Sequence, residues 1–163
     1  MADYILSCGS DAARRGVAIA YDSRINSPEF SMRAAEVLSA AGITVYLYGE
    51  LRPTPVLSFA LRELGCVAGI NITASHNPSE YNGYKVYWED GAQIGPEQAN
   101  AISALIAKTD ILSGVPAASE ARHELILPMP AEIDEKYREC VLAQQVDPSM
   151  IPAMADRMKI VYT

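Results

Sequence analysis

The chain is 163 residues long, half of them hydrophobic and a fifth charged, with a formal net charge of −7. That length and composition suit a globular domain with a buried core, and the acidity argues against nucleic acid as a partner, because phosphate neutralisation needs a basic face. No apolar run approaches the ~18 residues of a membrane span, and the start, MADYILSCGSDAARRG, lacks the basic-then-apolar layout of a signal peptide, so a cytoplasmic protein with no membrane partner is expected.

Helical spacing at Tyr4, Ile5, Cys8 and Ala12 predicts a first helix over 3–15, weakened by Gly9. GVAIAYDSR reads as a buried strand ending in Asp22-Ser23-Arg24. Ser27 then stands as N-cap with Pro28 at the first helical position, and Phe30, Ala34, Val37, Leu38 and Ala41 mark the inward stripe up to Gly42. ITVYLYG is the second strand. Thr54-Pro55 repeats the cap-then-proline device for a helix ending near Gly65. CVAGINIT is the third strand, apolar enough to be covered on both faces. Tyr84 to Trp88 follows too soon for a parallel crossover, so it pairs antiparallel or lies at an edge. Gly95-Pro96-Glu97 opens a helix with Ala99, Ile102, Leu105 and Ile106 inward.

Strand alternating with helix predicts an α/β fold: three layers, α/β/α, around a mixed, mainly parallel four-stranded sheet. Residues 113–130 are rich in small residues and proline and read as a connector. Residues 131–163 read as a helix with Ile133, Tyr137 and Val141 in register, then a strand in RMKIVYT. Cys8, Cys66 and Cys140 form no CxxC pair and read as reduced, mostly buried thiols. With His76 and His123 the only histidines, a zinc site is not expected. The NIT sequon at Asn71 falls at a strand end and is discounted.

In α/β sheets ligands bind beyond the carboxyl ends of the strands, where Asp22-Ser23-Arg24 and Thr73-Ala74-Ser75-His76-Asn77-Pro78 both fall. From the residues alone, three readings of Ser75 stay open. It is a turn residue beside Asn-Pro, a hydrolase nucleophile, or a carrier of a phosphoryl group. The second is weak: the stretch is not G-x-S-x-G, and the side chain of adjacent His76 diverges from that of Ser75, although Asp22 could serve as the acid. The third needs cations near the phosphate, and Arg24 and Lys85 are the candidates.

TASHNP followed by NGYKVYWEDGAQI closely resembles the phosphoserine signature of the α-D-phosphohexomutases, the phosphoglucomutase and phosphomannomutase family, in its phosphoglucomutase-like branch. The resemblance runs from about Gly16 to about Lys108 and takes in YDSR and PTP. It implies that Ser75 carries the phosphoryl group exchanged with a sugar phosphate, most simply glucose 1-phosphate and 6-phosphate, through a bound bisphosphate. His76 and Asn77 would shape the loop, His76 assisting proton transfer or only fixing the backbone. Lys85 would steady the anionic transition state, and Arg24, with Asn77, would bind phosphate. Mg2+, held here only through the phosphate on Ser75, and a glucose 1,6-bisphosphate-type activator are implied. Asp22 is read as structural; Tyr81, Tyr84, Tyr87 and Trp88 as packing; Arg52 as near the cleft without a role.

The family's D-x-D-x-D metal loop and its opening F-G-T-x-G-x-R-G segment have no counterpart here. Residues 1–112 therefore read as a first domain shortened at its amino terminus, with the phosphoserine loop at 73–78. Residues 131–163 would lead into an absent second domain, and the chain alone would be inactive. A non-catalytic sugar-phosphate binding or regulatory module that keeps the loop is the alternative.

Overall fold

A computed structural model describes residues 1–110 and 112–161. Five strands, β1 (Val17–Tyr21), β2 (Val45–Leu47), β3 (Ala68–Ile72), β4 (Tyr84–Trp88) and β5 (Ile126–Pro128), form one sheet in the order β4-β3-β1-β2-β5. β1 runs parallel to β2 and β3, and β2 parallel to β5, whereas β4 is antiparallel to β3. The reversal follows from length: the segment 73–83 is too short for a crossover, so the chain turns straight back. Helices α1 (Ala2–Ser7), α2 (Ala12–Arg15), α3 (Ser27–Ala40) and α5 (Pro96–Ile106) cover one face, and α4 (Thr54–Glu63) and α6 (Glu132–Leu142) the other. Period-two alternation divides the strands accordingly. Ile19, Ile70 and Ile72 enter the first core; Ala18, Ala20 and Tyr87 enter the second with Leu57 and Leu61 of α4.

The three-layer mixed sheet is as expected, with one strand more. β5 arises inside the expected connector, because the outer edge of β2 offers backbone partners and Ile126 packs on the first core. Pro128 is compatible with an edge position. Beyond it, the Met129 N–H donates to Leu47 O at 3.0 Å, and α6 buries Ile133 (1% exposed) and sets Tyr137 edge-on to Phe59 at 5.6 Å. Residues past 112 thus extend the same layers.

Other expectations need correction. The first helix breaks between Ser7 and Ala12. In α3 the N-cap is Asn26, in a left-handed conformation (φ 62°), and Ser27 is buried and bonded elsewhere. The buried stripe is Ser31, Ala35, Leu38 and Ser39, in which the small residues let the helix approach the sheet beside a single leucine. Phe30 and Val37 instead line a largely apolar cleft of about 480 Å³ with Ile72, Tyr84 and Val115. Ile106 and Val141 are exposed, and so are Tyr81 and Tyr84, leaving Tyr87 and half-buried Trp88 as the packing aromatics. Cys8 and Cys140 are exposed; only Cys66 is buried, and burial pushes its thiol up to about 12. Met158–Val161 form no strand, the rest of that expected strand lying outside the described residues, and a short helix α7 (Met150–Met154) precedes them.

Candidate active site

β1 and β3 are adjacent and parallel, so the segments leaving their carboxyl ends, 22–26 and 73–83, meet above the sheet. The Thr73 N–H donates to Gly83 O (3.0 Å) and closes the base of the second loop. A Cβ on Gly83 would lie 2.6 Å from Thr73 O, which is why glycine occupies the position. Inside the loop, Asn77 N–H donates to Ala74 O (3.2 Å) and Tyr81 N–H to Pro78 O (3.1 Å). Ser75 lies in the first turn at φ 59°, a left-handed conformation that costs a non-glycine residue roughly 1–2 kcal/mol. Its N–H donates to Thr73 Oγ1 at 3.1 Å. Its side chain is exposed, and the hydroxyl has no hydrogen-bond partner among the described residues.

Arg24 holds this arrangement. Its Nη1 donates to the carbonyls of Asn77 (2.7 Å), Pro78 (2.8 Å) and Tyr81 (3.2 Å), its Nη2 to that of Ser75, and its Nε to Asp22 Oδ2 (2.9 Å). Asn82 Nδ2 donates to Ile25 O (2.6 Å), Ser27 Oγ to Asn82 Oδ1 (2.8 Å), and the Ile25 N–H to Ser79 O (3.2 Å). The two loops are therefore one hydrogen-bonded unit. Arg24, expected to bind phosphate, has a side chain only 10% exposed, and four carbonyls and a carboxylate use its fork. The parts that Ser27, at the start of α3, and Asn82 and Gly83 of the loop play here are ones that sequence reasoning misses, although the Asn-Gly pair is a turn signal in its own right.

Lys85 lies on β4 opposite Asn71, half-buried, and its ammonium has no hydrogen bond or ion pair among the described residues. His76 and Asn77 are exposed at the loop tip, and their side chains also lack partners among those residues. No bond joins His76 to Ser75, and the Asp22 carboxylate accepts from the backbone and guanidinium of Arg24, so no Ser-His-Asp relay is assembled. Arg52 is a clamp: its Nη2 meets Asp134 Oδ2 at 2.7 Å, tying α6 to the end of β2, and its guanidinium lies 5.4 Å from the Tyr48 ring centre. Among the described residues no group of three His, Cys, Asp or Glu side chains could hold a metal ion, and no helix is long and apolar enough to cross a membrane.

Burial works to raise the Asp22 pKa, but hydrogen bonds from Thr73 and from the Arg24 backbone and guanidinium, with the guanidinium charge, outweigh it. The carboxyl stays below its ordinary 3.8. A carboxyl lowered on folding contributes stability above its unfolded pKa and loses it as pH falls through the folded value. Acid should therefore release the loop below pH 3.8. Amide exchange at 73–83 followed against pH should show that step in the natural sequence and not in Asp22→Asn. An identical acid profile in the variant would contradict the assignment.

The family described as phosphoglucomutase/phosphomannomutase, alpha/beta/alpha domain I, matches residues 1–112. The chain belongs to this family. A phosphoglucomutase of Staphylococcus epidermidis is 44% identical over 130 residues, covering 78% of this chain and 24% of that protein. A glucose 1,6-bisphosphate synthase of Mus musculus is 47% identical over 100 residues, covering 58% and 16%. The crystal structure of a family protein assigned as a phosphomannomutase, from Thermus thermophilus, superposes with a TM-score of 0.70 at 30% identity, covering 87% of this chain and 29% of that one. The chain spans a quarter or less of the length of these two curated relatives. The shared region includes the loop at 73–78 and both strands that flank it.

Proposed function

We infer that this chain is the phosphoryl-carrying part of a cytoplasmic sugar-phosphate mutase that interconverts hexose 1-phosphate and 6-phosphate, with glucose as the sugar. One observation carries the reading: the Ser75 hydroxyl is exposed and unengaged, while Arg24 pins the backbone from Ser75 onward at the carbonyls of Ser75 and Asn77. A hydroxyl that served only to make a turn would be spent on the turn. In the reaction the bond from phosphorus to Ser75 Oγ breaks as phosphorus bonds to a sugar hydroxyl, whose proton passes to a base. The resulting bisphosphate then returns its other phosphate to Ser75. Lys85 supplies positive charge at the transferring group, which gains most from fixed charge and positioning. Asn77 contacts the phosphate, and exposed His76 is placed to take or give the proton. This chain offers Mg2+ only the phosphate on Ser75, so the remaining ligands would come from elsewhere in a full-length protein, as would the sugar-reading groups. Alone, the chain is inactive.

A second reading, a sugar-phosphate binding module without chemistry, is favoured by the diversion of Arg24 from phosphate to loop. Phosphopeptide mass spectrometry on the full-length protein, after incubation with glucose 1,6-bisphosphate and magnesium, separates the two. Phosphate on Ser75 supports the mutase; a Ser75 that stays unmodified supports the module.

A further inference from the structure

The α4 face of the sheet contains one buried polar group that neither the fold nor the loop explains. Asn71 is 1% exposed and sits on β3, two residues before Thr73. Its Nδ2 donates to Thr54 Oγ1 at 2.8 Å, but its Oδ1 is buried with no hydrogen-bond partner, the only such side-chain atom among the described residues. Leaving a buried carbonyl unpaired is costly, so this oxygen calls for a partner. With Nδ2 on the Thr54 hydroxyl, Oδ1 points away from it.

The register decides what it faces. Asn71 and Lys85 are directly opposed across the β3–β4 ladder, and opposed residues project from the same face. Lys85 is half-buried with an ammonium that has no partner among the described residues, whereas Arg15, Arg24, Arg33, Arg52 and Lys136 all hold a carboxylate. We propose that Asn71 is a positioning residue for phosphoryl transfer: its Oδ1 accepts a hydrogen bond from the Lys85 ammonium and holds that charge toward the phosphate on Ser75. A neutral amide suits the task, since it restricts the ammonium without neutralising it as a carboxylate partner would. Thr54, at the start of α4, fixes the amide in turn, so the chain of contacts runs from helix to strand to lysine.

This inference rests on Ser75 and Lys85 acting as proposed above. The test is single-turnover uptake of phosphate onto Ser75 from glucose 1,6-bisphosphate, in the full-length protein, for Asn71→Leu, Asn71→Asp, Lys85→Ala and the double variant Asn71→Leu/Lys85→Ala. Thermal unfolding of each variant shows that it folds. Asn71→Leu should slow uptake about tenfold, but less than about twofold once Lys85 is alanine, because the two changes remove one interaction. Asn71→Asp sets a carboxylate against the ammonium and loses the donor to Thr54, so it should be at least as slow as Asn71→Leu. Equal losses with and without Lys85, or an Asn71→Asp at the natural rate, would overturn the role. A natural-sequence protein that takes up no phosphate would sink the proposed function, and this inference with it.

Discussion

Ser75→Ala in the full-length protein should lower mutase turnover by roughly four orders of magnitude or more if, as proposed, Ser75 is the group that accepts and returns the phosphoryl. The same change should leave the unfolding midpoint of this chain almost where it was, since the hydroxyl has no partner to lose among the described residues. Ser75→Gly goes further. It relieves a left-handed φ of 59°, and that relief, roughly 1 kcal/mol, is offset only in part by the greater freedom of glycine in the unfolded chain. A dead enzyme at least as stable as the natural one is the expected outcome. A coupled assay for glucose 6-phosphate, run beside urea unfolding, reads both quantities. Turnover within about tenfold of the natural protein would exclude Ser75 as the carrier.

Arg24→Ala should have the largest structural effect of any single change at the site. It strips four loop carbonyls of a shared donor and leaves the Asp22 carboxylate without its cation. A loss of about 2–4 kcal/mol follows if the loop cannot rearrange, and less if water reaches the freed groups. Loosening should be local. Amides in 73–83 lose exchange protection while those of β1 and β3 keep theirs, and full-length activity falls about a hundredfold as Ser75 loses its fixed position. Arg24→Lys should fail to restore either quantity, because a single ammonium cannot span the carbonyls that the planar fork reaches. A lysine variant with natural exchange rates would show that charge, not fork geometry, holds the loop.

Much of this fold can be read from periodicity. VAIAY and AGINI are runs that only a doubly covered strand accommodates, and the proline-opened helices begin within a residue of where Pro28, Pro55 and Pro96 place them. β5 is invisible in the sequence because three residues ending in proline carry no period; it exists through what β2 lacks, a tertiary cause. The stripe of α3 misleads for a related reason. Small Ser31 and Ser39 pack closest to the sheet, while Phe30, the obvious apolar choice, borders a cleft. At the site, TASHNP locates the loop, but the role of Arg24 depends on where its side chain turns after Asp22, which spacing cannot specify. Asn71 stands out in the sequence only as a sequon of no consequence. Its significance appears once Lys85 lies opposite.

β5 bears on where the folding unit ends. Its partner β2 lies some eighty residues earlier in the chain, so this edge is sealed by a distant, late contact, the kind that forms slowly because a long loop must first close. A polypeptide stopped at 112, the last residue of the family match, would display the bare edge of β2 and an empty seat on α4 where Ile133 belongs. Open strand edges recruit other strands. A chain cut at 112 is therefore expected to self-associate more than the 163-residue chain, a difference that size-exclusion chromatography reads directly.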